Sequence, residues 1–224
     1  MKTTRALRTG ASRLVAAAMI LLVCTFAASA ERLEIGVFAP GALTDWQPKS
    51  FEGETEYRLT GSGDVRALSA SCNGTASALA RRVPIDLKAT PVLHWQWRVD
   101  GVHEGLNEQH KTGDDFAARV YVIHDGGVLK WRSRAINYVW AGNTKRGRHW
   151  PNPFTDKAMM VAVESGAPAD TSAWASESRN VRADFKRFYA LNLDTLDAVA
   201  VMTDCDNTGG SASAAYRQIH FAPK

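Results

Sequence analysis

Two acidic clusters carry the residue types best suited to chemistry. The first, Gly113-Asp114-Asp115-Phe116-Ala117-Ala118-Arg119, puts two carboxylates at the entrance of an apolar run and a guanidinium inside it. Asp115 and Arg119 are four positions apart and so share one face of a regular strand. An arginine flanked by Ala118 and Val120 is expected to be partly buried, and it then needs a partner, because an unpaired buried charge is very costly. A structural Arg–Asp pair and a ligand-binding role fit these residues equally well. The second cluster is Val201-Met202-Thr203-Asp204-Cys205-Asp206-Asn207-Thr208-Gly209-Gly210. Asp204 and Asp206 share a face where a strand ends, and with Asn207 they offer the hard oxygen donors that calcium prefers. As an EF-hand loop the segment fails, because its fifth place is Thr208 and its twelfth is Ala215, where a bidentate Glu is required. Calcium held by loop oxygens is the one cofactor suggested, and turn formation by Asp and Asn explains the same residues without it.

Further polar and aromatic groups lie between these clusters. The run containing Arg134, Ile136, Asn137, Tyr138 and Trp140 has the rings, amide and guanidinium that sugars use, although ordinary cross-strand pairing needs the same residue types. Trp174, Glu177, Arg179 and Asp184 form another charged and aromatic patch. A long connection, Ala141 to Asp156, carries Lys145, Arg146, Arg148 and His149 beside Trp150. It reads as a lid for an anionic or sugar-like ligand or, preferably, as a solvated basic loop with Trp150 packed on the body. Catalytic templates fail: the chain has no G-x-S-x-G, H-E-x-x-H or C-x-x-C, and His103 and His110 lack a zinc spacing. Asp115 with Asp204 is the carboxylate pair a glycan-cleaving enzyme would use.

The elements that must position these groups are short. Apolar runs of strand length recur between Gly, Pro, Asn and Asp clusters: 33–38, 56–59, 65–71, 77–83, 92–99, 116–124, 129–140, 158–164, 197–203 and 215–221. Leu93, Trp95 and Trp97 fall on one strand face, and His94, Gln96 and Arg98 on the other, as in a half-buried antiparallel strand. Between Ser178 and Leu191 the pattern changes: Val181, Phe185 and Phe188 form a helical stripe, predicting one short helix. Many short strands with one helix predict an all-β fold, an antiparallel β-sandwich of jelly-roll type.

The N-terminus sets the compartment. Lys2, Arg5, Arg8 and Arg13 precede an apolar run from Leu14 to Ala28, and Ala28-Ser29-Ala30 is an A-x-A cleavage site. Residues 1–30 therefore read as a secretory signal peptide and residues 31–224 as a single β-sandwich domain, periplasmic or secreted. The signal holds four of the 27 Lys and Arg and none of the 23 Asp and Glu, so the mature chain carries 23 of each and no net charge. Nucleic acid is thereby excluded as a partner on electrostatic grounds, and no stable membrane span is expected beyond the short apolar run. Cys24 leaves with the signal; Cys72 and Cys205 then suit a disulfide and two buried thiols equally.

An ordered set of motifs carries a resemblance. Trp95-Gln96-Trp97-Arg98-Val99, the Gly113–Val122 run, Asn137-Tyr138-Val139-Trp140, Glu177-Ser178-Arg179-Asn180-Val181 with Ala183-Asp184-Phe185, and Met202-Thr203-Asp204-Cys205-Asp206-Asn207-Thr208-Gly209 occur in that order. Together they resemble an uncharacterised bacterial exported family, domain of unknown function 3047. The resemblance implies a bacterial envelope protein and brings no catalytic residues; Cys205 departs from the small polar residue expected between the two aspartates. The resulting expectation is a non-catalytic module that binds a small molecule or glycan through Asp114, Asp115, Arg119, Asn137, Tyr138, Trp140, Arg179, Asp204, Asp206 and Asn207. The alternatives are a structural or assembly protein of the envelope and a glycan-active lyase or hydrolase.

Overall fold

The computed structural model describes residues 31–224, so the expected signal segment and Cys24 lie outside the described residues. The strands are β1 (Leu33–Gly36), β2 (Gln47–Glu52), β3 (Glu56–Thr60), β4 (Ala67–Asn73), β5 (Ala76–Asp86), β6 (Val92–Val99), β7 (Ala118–His124), β8 (Arg134–Ala141), β9 (His149–Asn152), β10 (Thr155–Ser165), β11 (Ala175–Asn180), β12 (Thr195–Asp204) and β13 (Ser211–Ala222). They form a seven-stranded sheet, β2-β5-β12-β7-β8-β10-β9, and a six-stranded sheet, β11-β6-β13-β4-β3 with β1 on β13. The chain crosses repeatedly between the two sheets, giving the expected all-β sandwich. Its pairs are antiparallel except β8 with β10, which run parallel.

Strict alternation explains which face of β6 is buried. In β6, Leu93, Trp95, Trp97 and Val99 point inward and alternate with partly exposed polar residues. Trp95 stacks on Tyr138 of β8 at 5.4 Å between ring centroids, and Trp97 meets Trp140 at 5.8 Å, so large aromatics fill the space between the sheets. The one helix, α1 (Val181–Tyr189), begins where Asn180 accepts a 2.9 Å hydrogen bond from the Ala183 amide. Val181 and Phe185 are buried and Phe188 packs against the same core, as the helical stripe predicts. Among the described residues, no helix is long and apolar enough to cross a membrane.

Two elements differ from expectation. The connection 141–156 is not a loop throughout, because it contains β9, hairpinned onto the start of β10. Pro151 and Pro153 disguise that strand, and it tolerates proline because it lies at the sheet edge. Strand β2 is also absent from the apolar pattern, since all six of its residues are exposed on the opposite edge.

Cys72 of β4 and Cys205, just beyond β12, form a disulfide across 133 positions with Cα atoms 6.1 Å apart. It staples one sheet to the other at the end of the sandwich that holds the acidic clusters. Closing so long a loop removes much unfolded-state entropy. Replacing both cysteines with serine is expected to lower stability by about 2–5 kcal/mol, measured by urea unfolding, and to make the transition insensitive to reductant.

Candidate functional site

Alternation along β7 sends Ala118, Val120 and Val122 into the core and Arg119 and Tyr121 to the outer face of the seven-stranded sheet. Met202 of β12 pairs with Arg119, so Asp204, two residues on, comes to the same face. The segment leading into β7 crosses over this point. Gly113 allows it: a Cβ there would lie 2.5 Å from the Asn107 carbonyl oxygen. Phe116 then reaches the Arg119 guanidinium, whose Cζ sits 4.5 Å from the ring centroid; its carbonyl accepts from the Asp204 amide and its own amide donates to Asp204 Oδ1.

Arg119 is only 2 % exposed, and its charge is met on two sides. Nε donates to Asp204 Oδ1 at 2.6 Å and Nη2 donates to Asp204 Oδ2, a bidentate fork. Nη2 also donates to the Asp114 carbonyl, and Nη1 to Asp114 Oδ2 and the Tyr121 hydroxyl, both at 3.4 Å. The expected buried Arg–Asp pair is therefore present, but its partners are Asp204 and Asp114 rather than Asp115. Asp115 instead pins the turn after β12: Oδ1 accepts from the Asn207 amide and side chain, and Oδ2 from the Thr208 amide and hydroxyl, at 2.7–3.2 Å. Burial pushes the Asp115 carboxyl up, but the hydrogen bonds from Thr208 and Asn207 outweigh it and hold the group below its usual range.

The remaining acids are shifted the other way. Burial pushes Asp204 up to about 8 against the pull of Arg119, and it raises Asp114 and Asp206 as well. One guanidinium cannot offset the burial of so many carboxylates, so Asp114, Asp204 and Asp206 hold a proton more tightly than free carboxyls do. Asp114 has the atom free to carry one: Oδ2 accepts from Arg119 and from Asn152 Nδ2 at 3.1 Å, while Oδ1 has no partner. Oxygens of Asp115, Asp204 and Asp206 lie within 4.8 Å of one another, a calcium-like donor set. An ion there would have to compete with Arg119 for both Asp204 oxygens. For the same reason the Asp115–Asp204 pair is not poised for acid/base work, since the oxygens of both are already engaged.

The cluster forms one end of a cleft of about 390 Å³ on the outer face of the seven-stranded sheet. Its floor is Tyr121, Met202, Ala76 and Ala158, and Asp206 and Asn207 line it beside Asp114, Arg119 and Asp204. Two phenylalanines stand at the cleft, Phe51 on edge strand β2 and Phe154 between β9 and β10, 62 % and 55 % exposed. Sequence reasoning missed both, along with Tyr121 and Asn152. The available signals were a lone Phe in Lys49-Ser50-Phe51-Glu52 and another in Pro153-Phe154-Thr155, neither with a core to face.

Four expected site residues are elsewhere. Tyr138 and Trp140 point inward, because β8 turns these positions to the core; the Tyr138 hydroxyl donates to Asp184 and Trp140 Nε1 to the Gly166 carbonyl. Arg179 forks onto Asp184 at 2.7 and 2.9 Å, at the β11–α1 corner. Asn137 does share the face of Tyr121, its partner in register, but it is fully buried and donates to Met160 Sδ. The basic segment is not a lid: Trp150 packs beside Phe116, and Arg146 pairs with Glu164 and Glu177.

Residues 44–220 match the family described as Protein of unknown function (DUF3047). The chain belongs to the DUF3047 family. No curated protein matches this DUF3047 chain. Among solved structures it is similar to the family 11 carbohydrate-binding module of the cellulosomal cellulase Lic26A-Cel5E of Clostridium thermocellum, at 10 % identity over 87 % of this chain and 95 % of that one, with a TM-score of 0.50. The same organism's family 11 module in complex with a β-1,3-1,4-mixed-linked tetrasaccharide aligns at 12 % identity over 80 % and 89 %, with a TM-score of 0.45. The xyloglucanase domain of NopAA, a type three effector from Sinorhizobium fredii, in complex with cellobiose, aligns at 11 % identity over 80 % and 93 %, with a TM-score of 0.44.

Two outcomes test the buried cluster. Arg119→Met leaves Asp204 and Asp114 unpaired and is expected to cost about 3–5 kcal/mol, read by chemical denaturation. In the second, the raised pKa values mean that Asp114 and Asp204 bind more protons in the folded protein than in the unfolded chain above the ordinary carboxylate value of 3.8, for Asp204 up to about 8. The stability these two groups contribute therefore falls as pH rises through that window. Asp114→Asn removes one titrating group and lowers its repulsion on Asp204, so the slope of unfolding free energy against pH should flatten.

Proposed function

We propose that this protein is an exported, non-catalytic module that holds a carbohydrate in the cleft on the outer face of the seven-stranded sheet. The observation that carries the reading is the pair of exposed phenylalanines, Phe51 and Phe154, standing at a cleft whose end wall is a fixed polar cluster. Exposed rings offer flat apolar surface for the C–H faces of a pyranose, while Asp206 and Asn207 offer hydrogen-bonding groups at set positions. A lysine ammonium lies near each ring, Lys49 at 5.9 Å from the Phe51 centroid and Lys111 at 5.2 Å from that of Phe154. The binding reading also suits the absence of a free acid/base pair in Asp115 and Asp204. A fold shared with a carbohydrate-binding module is in keeping with this role.

Export to the periplasm or beyond is part of the proposal. Its supports are the charged and apolar residues before Ala30 with their A-x-A site, and the Cys72–Cys205 disulfide, a bond that persists in oxidising compartments.

A glycan array followed by calorimetry tests the binding role. The expected result is affinity for an oligosaccharide that falls about tenfold, ~1.4 kcal/mol, in Phe51→Ala and in Phe154→Ala with no change in melting temperature. Binding that is indifferent to both substitutions, or an array without hits, would overturn the reading.

A further inference from the structure

The opposite face of the sandwich carries a second concavity, of about 520 Å³, on the outer side of the six-stranded sheet. Arg98 of β6 and Arg217 of β13 lie there side by side: Arg98 is in register with Ala215, and Arg217 with Gln96. Trp174, just before β11, lies against both, its ring centroid 4.0 Å from Arg217 Cζ and 5.5 Å from Arg98 Cζ. Gln96 fixes Arg217 by accepting from Nε at 2.7 Å and is itself tied to Ser176 at 2.9 Å. Ser69, Ser71 and Ser213 line the trough beside apolar Val65 and Ala67.

What this place lacks is an anion. Among the described residues neither arginine has a carboxylate within 4.0 Å, whereas the buried or half-buried Arg81, Arg119, Arg179 and Arg182 each have one. Asp100 lines the concavity but is exposed and makes no ion pair with them. Arg98 Nε is buried without any hydrogen-bond partner, and the terminal nitrogens of both side chains donate to no protein group among the described residues. Burial and the neighbouring Arg98 charge lower the pKa of Arg217, a repulsion that an anion between the two would relieve. Planar guanidinium groups match the two oxygens of a carboxylate, and a stacked tryptophan holds the fork in place. The volume far exceeds that of a lone ion, and the serine hydroxyls suit the hydroxyls of a sugar ring.

We propose that Arg98, Arg217 and Trp174 form a second binding site, for the carboxylate of an acidic sugar. It is separate from the Phe51–Phe154 cleft and does not depend on it.

The test is calorimetric titration of the full mature chain with tri-galacturonic acid, with maltotriose and inorganic sulfate as parallel probes. The expected result is binding of the uronate at low ionic strength, weakened by added salt, with at least tenfold loss in Arg217→Gln and in Arg98→Lys. The latter variant keeps the charge and loses the fork. Phe154→Ala should leave uronate binding unchanged. Arg217 and Trp174 are only half-buried, so Arg217→Gln and Trp174→Phe are expected to fold, and circular dichroism checks that. No uronate binding overturns the proposal. Equal affinity for sulfate overturns its sugar component, and uronate binding lost in Phe154→Ala but kept in Arg217→Gln assigns the ligand to the other cleft and also overturns it.

Discussion

The structure turns on one guanidinium. Arg119 is buried at the end of the seven-stranded sheet, forked onto Asp204 and touching Asp114 through both side chain and backbone. Taking a charge out of water costs several kcal/mol, and a pair recovers that cost only with good geometry and further hydrogen bonds. Here those conditions are supplied from several elements. Phe116 covers the guanidinium face, the Tyr121 hydroxyl accepts from Nη1, and the Phe116 amide donates to the same Asp204 oxygen as Arg119 Nε. Behind it, Tyr216 donates to the Met202 carbonyl and bonds to the Thr203 hydroxyl, while Cys205 fixes the next residue covalently to the other sheet. The arginine thus ties together the 111–117 segment, the end of β12 and, through its neighbours, both layers.

How much of this is legible in the sequence depends on how far apart in the chain the partners lie. Alternation is local, and it predicts Val92 to Val99 as a strand with Trp95 and Trp97 inward, as found. The helical stripe of Val181, Phe185 and Phe188 is local too. The need of Arg119 for a partner follows from its apolar neighbours, but the identity of that partner does not. Asp115 has the right spacing for an ideal strand, whereas β7 begins only at Ala118 and the fork comes from Asp204, 85 positions away. Tyr138, Trp140 and Arg179 have residue types that sugars use, yet in-or-out orientation on β8 and β11 decides their fate, and aromatic residues on a core-facing register pack inward regardless of chemistry. The phenylalanines of the cleft went unread for the opposite reason: each is a single apolar residue among polar ones, which carries no periodic signal.

The two outer faces of the sandwich solve different electrostatic problems. On the seven-stranded side four acids surround one arginine, and the excess negative charge is held down by burial-raised pKa values. On the six-stranded side two arginines share a tryptophan with no acid against them. Residues 31–224, with 23 basic and 23 acidic side chains, therefore separate their unbalanced groups onto opposite faces, one rich in protonatable oxygens and the other in bare N–H donors. Mean composition conceals this arrangement, because the excesses cancel.

A rigid polar wall favours recognition over turnover. A general acid or base must exchange a proton with substrate, which requires an oxygen that is both accessible and unengaged. Asp115 spends its oxygens on Asn207 and Thr208, and Asp204 spends its own on Arg119 and the Phe116 amide. Groups held in this way cannot reorganise cheaply during a reaction, and through Asp115 they hold Asn207 in place at the cleft. The same immobility that makes the cluster a poor proton shuttle makes it a good template. In the proposed role the exposed rings of Phe51 and Phe154 would meet a sugar face by rotation about side-chain bonds alone.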